Sequence, residues 1–127
     1  MPSPLRYNGG LNCSLAVKNL DASIAWYTDM LGFELLYKLD EMGWCELKTE
    51  VPGVNVGLSE VEQVKAAPEG ATLTFGVVDI DHARRILEEK KVRFDGPTRE
   101  IAGMVRLATF FDPDGNTLMF YQDVPKK

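Results

Sequence analysis

Few side chains here could do acid–base, nucleophilic or metal chemistry, and their spacing narrows the choice. "DPDGN", Asp112–Asn116, places two carboxylates two residues apart beside a glycine. A calcium loop would need further oxygen ligands at alternate positions and a closing glutamate. Instead Asn116 and Thr117 lead into Leu118-Met119-Phe120-Tyr121, so the stretch reads as a hairpin turn. His82 is the one histidine. That excludes a multi-histidine metal site and leaves few routes to a Ser-His-Asp triad. Cys13 and Cys45 lie outside any CxxC pattern and read as reduced, buried thiols. The charged pair with most chemical scope is Glu46 in "GWCELKT" and Arg106 in "GMVRLAT", which stand 60 residues apart. Such a pair could orient a ligand, or set a general base beside an anion-binding guanidinium. It could equally be a rim salt bridge or two solvated charges.

The elements that would position these residues form an internal repeat. "NCSLAVKNLDASIAWY" (12–27) aligns with "TLTFGVVDIDHARRIL" (72–87) at an offset of 60 residues. "GWCELKT" (43–49) aligns with "GMVRLAT" (103–109) at the same offset, so the chain reads as two tandem modules. Each opens with an alternating strand, Asn12–Val17 or Thr72–Val77. A helix follows, with Asn19 or Asp79 able to cap its first turn. Helix 1 runs to about Leu31, with Gly32 as its left-handed cap and Leu20, Ile24, Tyr27 and Leu31 on one face. Helix 2 buries Ile80, Ala83 and Leu87 and turns Arg84, Arg85, Glu88 and Glu89 outward. Three more strands complete each module: Phe33–Asp40, Trp44–Thr49 and Val54–Ser59, then Pro97–Ala102, Val105–Phe111 and Asn116–Gln122. "EVPGV" and "DPDGN" supply the last turns, and "EVEQVKAAPEG" (60–70), with Pro68 and Gly70, reads as a linker. The expected fold is α+β: one domain of two βαβββ modules, about 11–59 and 71–123. Their open sheet faces would curve into a half-barrel around a concave cavity.

The bulk numbers exclude some partners. The chain of 127 residues carries a net charge of −5, with its Lys and Arg scattered among acids. Nucleic acid is therefore not an expected partner. No apolar run reaches the ~20 residues of a membrane span, and the N-terminus "MPSPLRYNGG" lacks a signal-peptide core. A cytoplasmic location is expected.

The stretches "SLAVKNLDASIAWYTDMLGFEL" and "FFDPDGNTLMFYQ", joined by the βαβββ repeat, resemble the vicinal oxygen chelate superfamily. That group includes glyoxalase I, bleomycin-resistance proteins, fosfomycin-resistance enzymes and extradiol dioxygenases. Many of its enzymes hold a divalent metal with His and Glu ligands from four strands. Aligned on the motifs, those positions fall here at Asn12, Gly57, Thr72 and Met119. Catalytic zinc, nickel or iron wants imidazole and carboxylate, and magnesium or manganese wants carboxylate oxygens. This set offers none, so no metal and no other cofactor is expected.

Strand alternation from those positions selects a cavity lining. Asn12 and Ser14 share a face on the first strand, Asn55, Gly57 and Ser59 on the fourth, Thr72 and Thr74 on the fifth, and Thr117, Met119 and Tyr121 on the eighth. On the third strands, Trp44, Glu46 and Lys48 share one face and Met104, Arg106 and Ala108 share the other module's. Trp44, Met104, Met119 and Tyr121 would offer an apolar surface to a planar ligand, or else serve as core or dimer contacts. Three functions compete. A metal-free binder of an aromatic or anionic small molecule has a precedent in bleomycin-resistance-like members. An enzyme would use Glu46 and Arg106, or displaced metal ligands. An interaction domain would have a closed cavity. The resemblance also implies a homodimer.

Overall fold

The computed structural model describes residues 4, 6–65 and 71–124. It has the expected α+β class and element order. Strands β1 (Leu11–Val17), β2 (Glu34–Leu39), β3 (Trp44–Lys48) and β4 (Val54–Glu60) accompany helix α1 (Leu20–Leu31). Strands β5 (Leu73–Gly76), β6 (Arg99–Ile101), β7 (Val105–Phe111) and β8 (Thr117–Asp123) accompany α2 (Ile80–Glu89). The chain divides into two compact units between Val64 and Lys65, inside the stretch read as a linker. Glu60 of that stretch belongs to β4, while Pro68 and Gly70 lie outside the described residues.

Each unit holds one open, mixed four-stranded sheet, ordered β1-β4-β3-β2 in unit one and β5-β8-β7-β6 in unit two. The first strand pairs in parallel with the last, and the other pairings are antiparallel. Parallel neighbours need a crossover, which the helix and two intervening strands supply. The crossover helix buries one sheet face. In unit one that face carries Cys45, Leu47, Val56 and Leu58, packed with Leu20 and Tyr27 of α1. In unit two it carries Ala108, Phe110, Leu118 and Phe120, packed with Ile80 and Leu87 of α2. Burial raises the Cys45 thiol above its ordinary pKa, so it packs as a small apolar group.

The helix ends follow the sequence closely. Asn19 Oδ1 accepts from the Ala22 amide at 2.9 Å, and Asp79 Oδ1 from the His82 amide at 3.1 Å. Gly32 closes α1 at φ 73°, donating to the Thr28 carbonyl at 3.2 Å. A second device was not expected. Glu60 Oε2 on the last strand of unit one accepts from the Leu20 amide at 2.8 Å. Gln122 Oε1, at the matching place in unit two, accepts from the Ile80 amide at 2.8 Å. Each helix N-terminus is thus tied to the strand that closes its sheet.

Two details depart from expectation. Arg84 is not turned outward. It donates to the Gly96 carbonyl at 2.9 Å and to Thr98 Oγ1 at 3.2 Å, and its guanidinium lies 4.4 Å from the Phe94 ring centre. β6 is only three residues long, since Pro97 and Thr98 lie outside it and Ala102 has entered the following turn. No helix among the described residues is long and apolar enough to cross a membrane.

The "DPDGN" stretch is a turn built on one buried carboxylate. Asp112 Oδ1 accepts from the Asp114 and Asn116 amides at 2.9 and 2.8 Å. Its Oδ2 accepts from Asn116 Nδ2 at 2.9 Å, and Gly115 takes φ 86°. Removing this acceptor takes away the partner of three part-buried donors. Asp112→Ala is therefore expected to lower stability by about 1–3 kcal/mol in urea denaturation. A change within a few tenths of a kcal/mol would show that the carboxylate is dispensable.

Candidate functional site

The helix-free face of unit one carries the most organised polar group. β3 lies between β2 and β4, so Glu46 has Tyr37 on one side and Gly57 on the other. Tyr37 Oη donates to Glu46 Oε1 at 2.9 Å. Gly57 offers no side chain, and Asn55, one diagonal step away, donates from Nδ2 to Glu46 Oε2 at 2.7 Å. Trp44 Nε1 in turn donates to Tyr37 Oη at 3.1 Å. Both carboxylate oxygens are therefore fixed, by a relay of neutral donors. Among the described residues Glu46 has no ion pair.

The Trp44 ring explains the glycine. A Cβ at Gly57 would sit 2.0 Å from Trp44 Cη2 and 2.6 Å from Cζ2. Side chain and ring cannot share that space. Asn12 and Ser14 of β1 lie on the same face, opposite Asn55 and Gly57 respectively, and both are exposed. Lys48 follows on this face, exposed.

The helix-free face of unit two is plainer. Met119 lies between Thr74 and Thr109, and Tyr121 between Gly76 and Leu107. Tyr121 repeats the tryptophan's device, since a Cβ at Gly76 would lie 2.8 Å from its Cζ. Thr72 precedes β5 rather than lying in it, and its carbonyl accepts from Thr74 Oγ1 at 3.4 Å. Met104 stands in the turn before β7, 63% exposed, and not on the strand.

Arg106 is the main correction. It pairs with Gln122, which shares its face with Phe120 and Leu118, so Arg106 lies on the helix-covered face. There its guanidinium meets Asp81 of α2 in a bidentate pair at 2.8 and 3.0 Å, with Glu100 at 3.7 Å. The register explains the error. Ser14 and Thr74 oppose Gly57 and Met119 and are 60 residues apart, as the repeat implies. On the third strands, however, the residues opposite Gly57 and Met119 are Glu46 and Thr109, 63 apart. An odd slip turns every side chain to the other face. The true counterpart of the Arg106–Asp81 pair is Lys38 with Asp21 and Asp40, at 2.5 and 2.7 Å.

Sequence reasoning also missed Tyr37. Its signal lay in the β2–β3 hairpin, where Tyr37 directly opposes Glu46, but a register irregularity between Leu35 and Tyr37 hides the alternation. Glu60 and His82 take no part in either face. Glu60 holds the α1 N-terminus, and His82 is exposed on α2.

A fold of this class has known relatives. Residues 11–120 match the Glyoxalase/Bleomycin resistance protein/Dioxygenase superfamily, and the chain belongs to it. An integron cassette protein from the mobile metagenome of the Halifax Harbour sewage outfall is 27% identical, with a TM-score of 0.75 over 91% of this chain and 99% of that one. A glyoxalase/bleomycin resistance protein from Catenulispora acidiphila is also 27% identical, with a TM-score of 0.69 over 91% and 98%. The fosfomycin resistance protein FosX from Listeria monocytogenes has a TM-score of 0.78 over 94% and 96%, at 16% identity, and shares the fold. No curated protein matches the chain in sequence.

The metal that many members of this superfamily hold does not suit these residues. Gly57 has no donor and lies under an indole ring, and Asn12, Thr72 and Met119 are neutral or soft. Among the described residues no three His, Cys, Asp or Glu side chains group as metal ligands.

Two expectations follow. Gly57→Ala must displace Trp44 and break its bond to Tyr37, costing about 1–3 kcal/mol in chemical denaturation. Trp44→Ala in the same chain should recover part of that loss, and a neutral Gly57→Ala would refute the packing. The second concerns Asp81, whose carboxyl the Arg106 guanidinium holds below its ordinary range. Its folded pKa is depressed, so this stabilisation is present above the unfolded pKa and is lost as pH falls through the folded value. Arg106→Gln should raise the Asp81 pKa toward the ordinary carboxylate range in an NMR titration. An unchanged titration would show the ion pair absent in solution.

Proposed function

We propose that this chain is a metal-independent small-molecule-binding member of its superfamily. In this reading the ligand lies on the helix-free sheet face that carries Trp44, Glu46 and Asn55. The observation that carries it is Trp44 seated on Gly57. The fourth-strand position where a metal-dependent relative would place a ligand is closed by an aromatic ring. A fixed carboxylate and a half-exposed indole then remain as the recognition elements, of the kind that line small-molecule sites. The Catenulispora relative's own description as a glyoxalase/bleomycin resistance protein accords with this reading.

A catalytic reading is favoured by one observation. Tyr37, hydrogen-bonded to Glu46, gives that carboxylate a neutral proton-bearing neighbour, as a general base could use. It no longer includes Arg106, which is engaged by Asp81.

Protein purified without chelator should contain no stoichiometric nickel, zinc, iron or manganese by elemental analysis. A thermal-shift screen of aromatic natural products and antibiotics should give hits. A ligand present at 100 times its Kd would add about 2.7 kcal/mol of stability. One equivalent of bound metal, removable with loss of ligand binding, would overturn the metal-independent reading.

A further inference from the structure

We infer that the unit-one face binds a small planar organic cation, with the charge at Glu46 and the ring against Trp44. This rests on the small-molecule reading above and names the ligand class for that site.

The case begins with charge. Glu46 is half-buried and anchored at both oxygens, yet both donors are neutral. Hydrogen bonds from a phenol and an amide orient a carboxylate without cancelling its charge. Lys48, on the same face, forms no ion pair with it. Arg106, which the repeat would have placed on the helix-free face of unit two, is on that unit's helix-covered face and is held by Asp81. At the carboxylate itself, between Tyr37 and Asn55, the charge is negative, while Lys48 lies exposed two residues along β3; a cationic group is favoured at Glu46 and an anionic one disfavoured there.

Geometry narrows the class further. Each Glu46 oxygen accepts one described bond, and a carboxylate oxygen has a second lone pair. Two free lone pairs on one planar group match a forked N–H donor such as an amidinium or guanidinium. Trp44 is half-exposed and held by its bond to Tyr37 and its seat on Gly57. Leu39, its partner on β2, is 43% exposed beside it. A ring already fixed in place costs little ordering on binding, and indole is the best aromatic partner for a cation.

The test uses the full chain labelled with 15N, reading the indole N–H signals, with Trp44→Phe to tell Trp44 from Trp26. Three probes of similar shape are titrated: benzamidinium, benzyl alcohol and benzoate. Benzamidinium should shift the Trp44 signal saturably, on the order of tenfold more tightly than benzyl alcohol. Benzoate should leave it in place. Raising NaCl to about 1 M should weaken the benzamidinium shift. Glu46→Gln, checked for an unchanged melting transition, should remove the preference for the cation. The comparison of probes on the unaltered protein stands even if that variant does not fold. Equal response to benzyl alcohol or benzoate would overturn the cationic class and leave the small-molecule reading intact. If no probe moves the Trp44 signal, the site assignment is overturned, and hits in the thermal-shift screen would show that a small-molecule site lies elsewhere.

Discussion

The parallel pairing of first and last strands, β1 with β4 and β5 with β8, is the constraint on which each unit rests. It places the last strand in the interior of the sheet. It brings that strand's end beside the start of the helix, where Glu60 or Gln122 takes a helix amide. Through strict alternation it also decides which side chains meet the helix and which do not. Leu58 and Val56 face α1, and Asn55, Gly57 and Ser59 are committed to the other side. The chemistry available to this protein is what that second side displays.

On that side, one large side chain and one absent side chain depend on each other. Trp44 needs Gly57, and the pair leaves Glu46 without a neighbour on β4 directly across. Asn55 reaches over the gap and Tyr37 holds the other oxygen. The arrangement is a hydrogen-bonded chain from Trp44 through Tyr37 and Glu46 to Asn55, and no buried side-chain polar atom among the described residues lacks a partner.

Much of this was legible in the sequence because it is local. Asn19, Asp79 and Gly32 announce the helix ends, and the apolar spacing of Leu20, Tyr27, Ile80 and Leu87 announces the buried faces. The repeat announces the order of elements. What the repeat could not convey is register. Gly, Leu and Thr recur in "GWCELKT" and "GMVRLAT" at an offset of 60, but the strands pair with their neighbours at an offset of 63. The slip arises because pairing is decided by the partner strand and the core, not by the match of one segment to another. Asp21 and Asp81 held the clue. Each sits in the first turn of its helix and needs a cation from the covered sheet face, Lys38 in one unit and Arg106 in the other. Tyr37 escaped for a similar reason, since its position is fixed by an irregular hairpin.

The tie between helix and closing strand bears on how each unit is assembled. Leu20 finds Glu60 only after 40 further residues have been made, and Ile80 finds Gln122 only after 42. The closing strand extends the β2–β3 or β6–β7 hairpin as a third antiparallel strand, and only its far edge offers β1 or β5 a partner. The first strand of each unit therefore has no sheet partner until the last strand is in place. The unit's most distant contacts are also its central ones, so loop closure must precede most of the packing that rewards it. A nascent chain would hold both helix and hairpin loosely until the last strand emerges, then commit the whole unit at once.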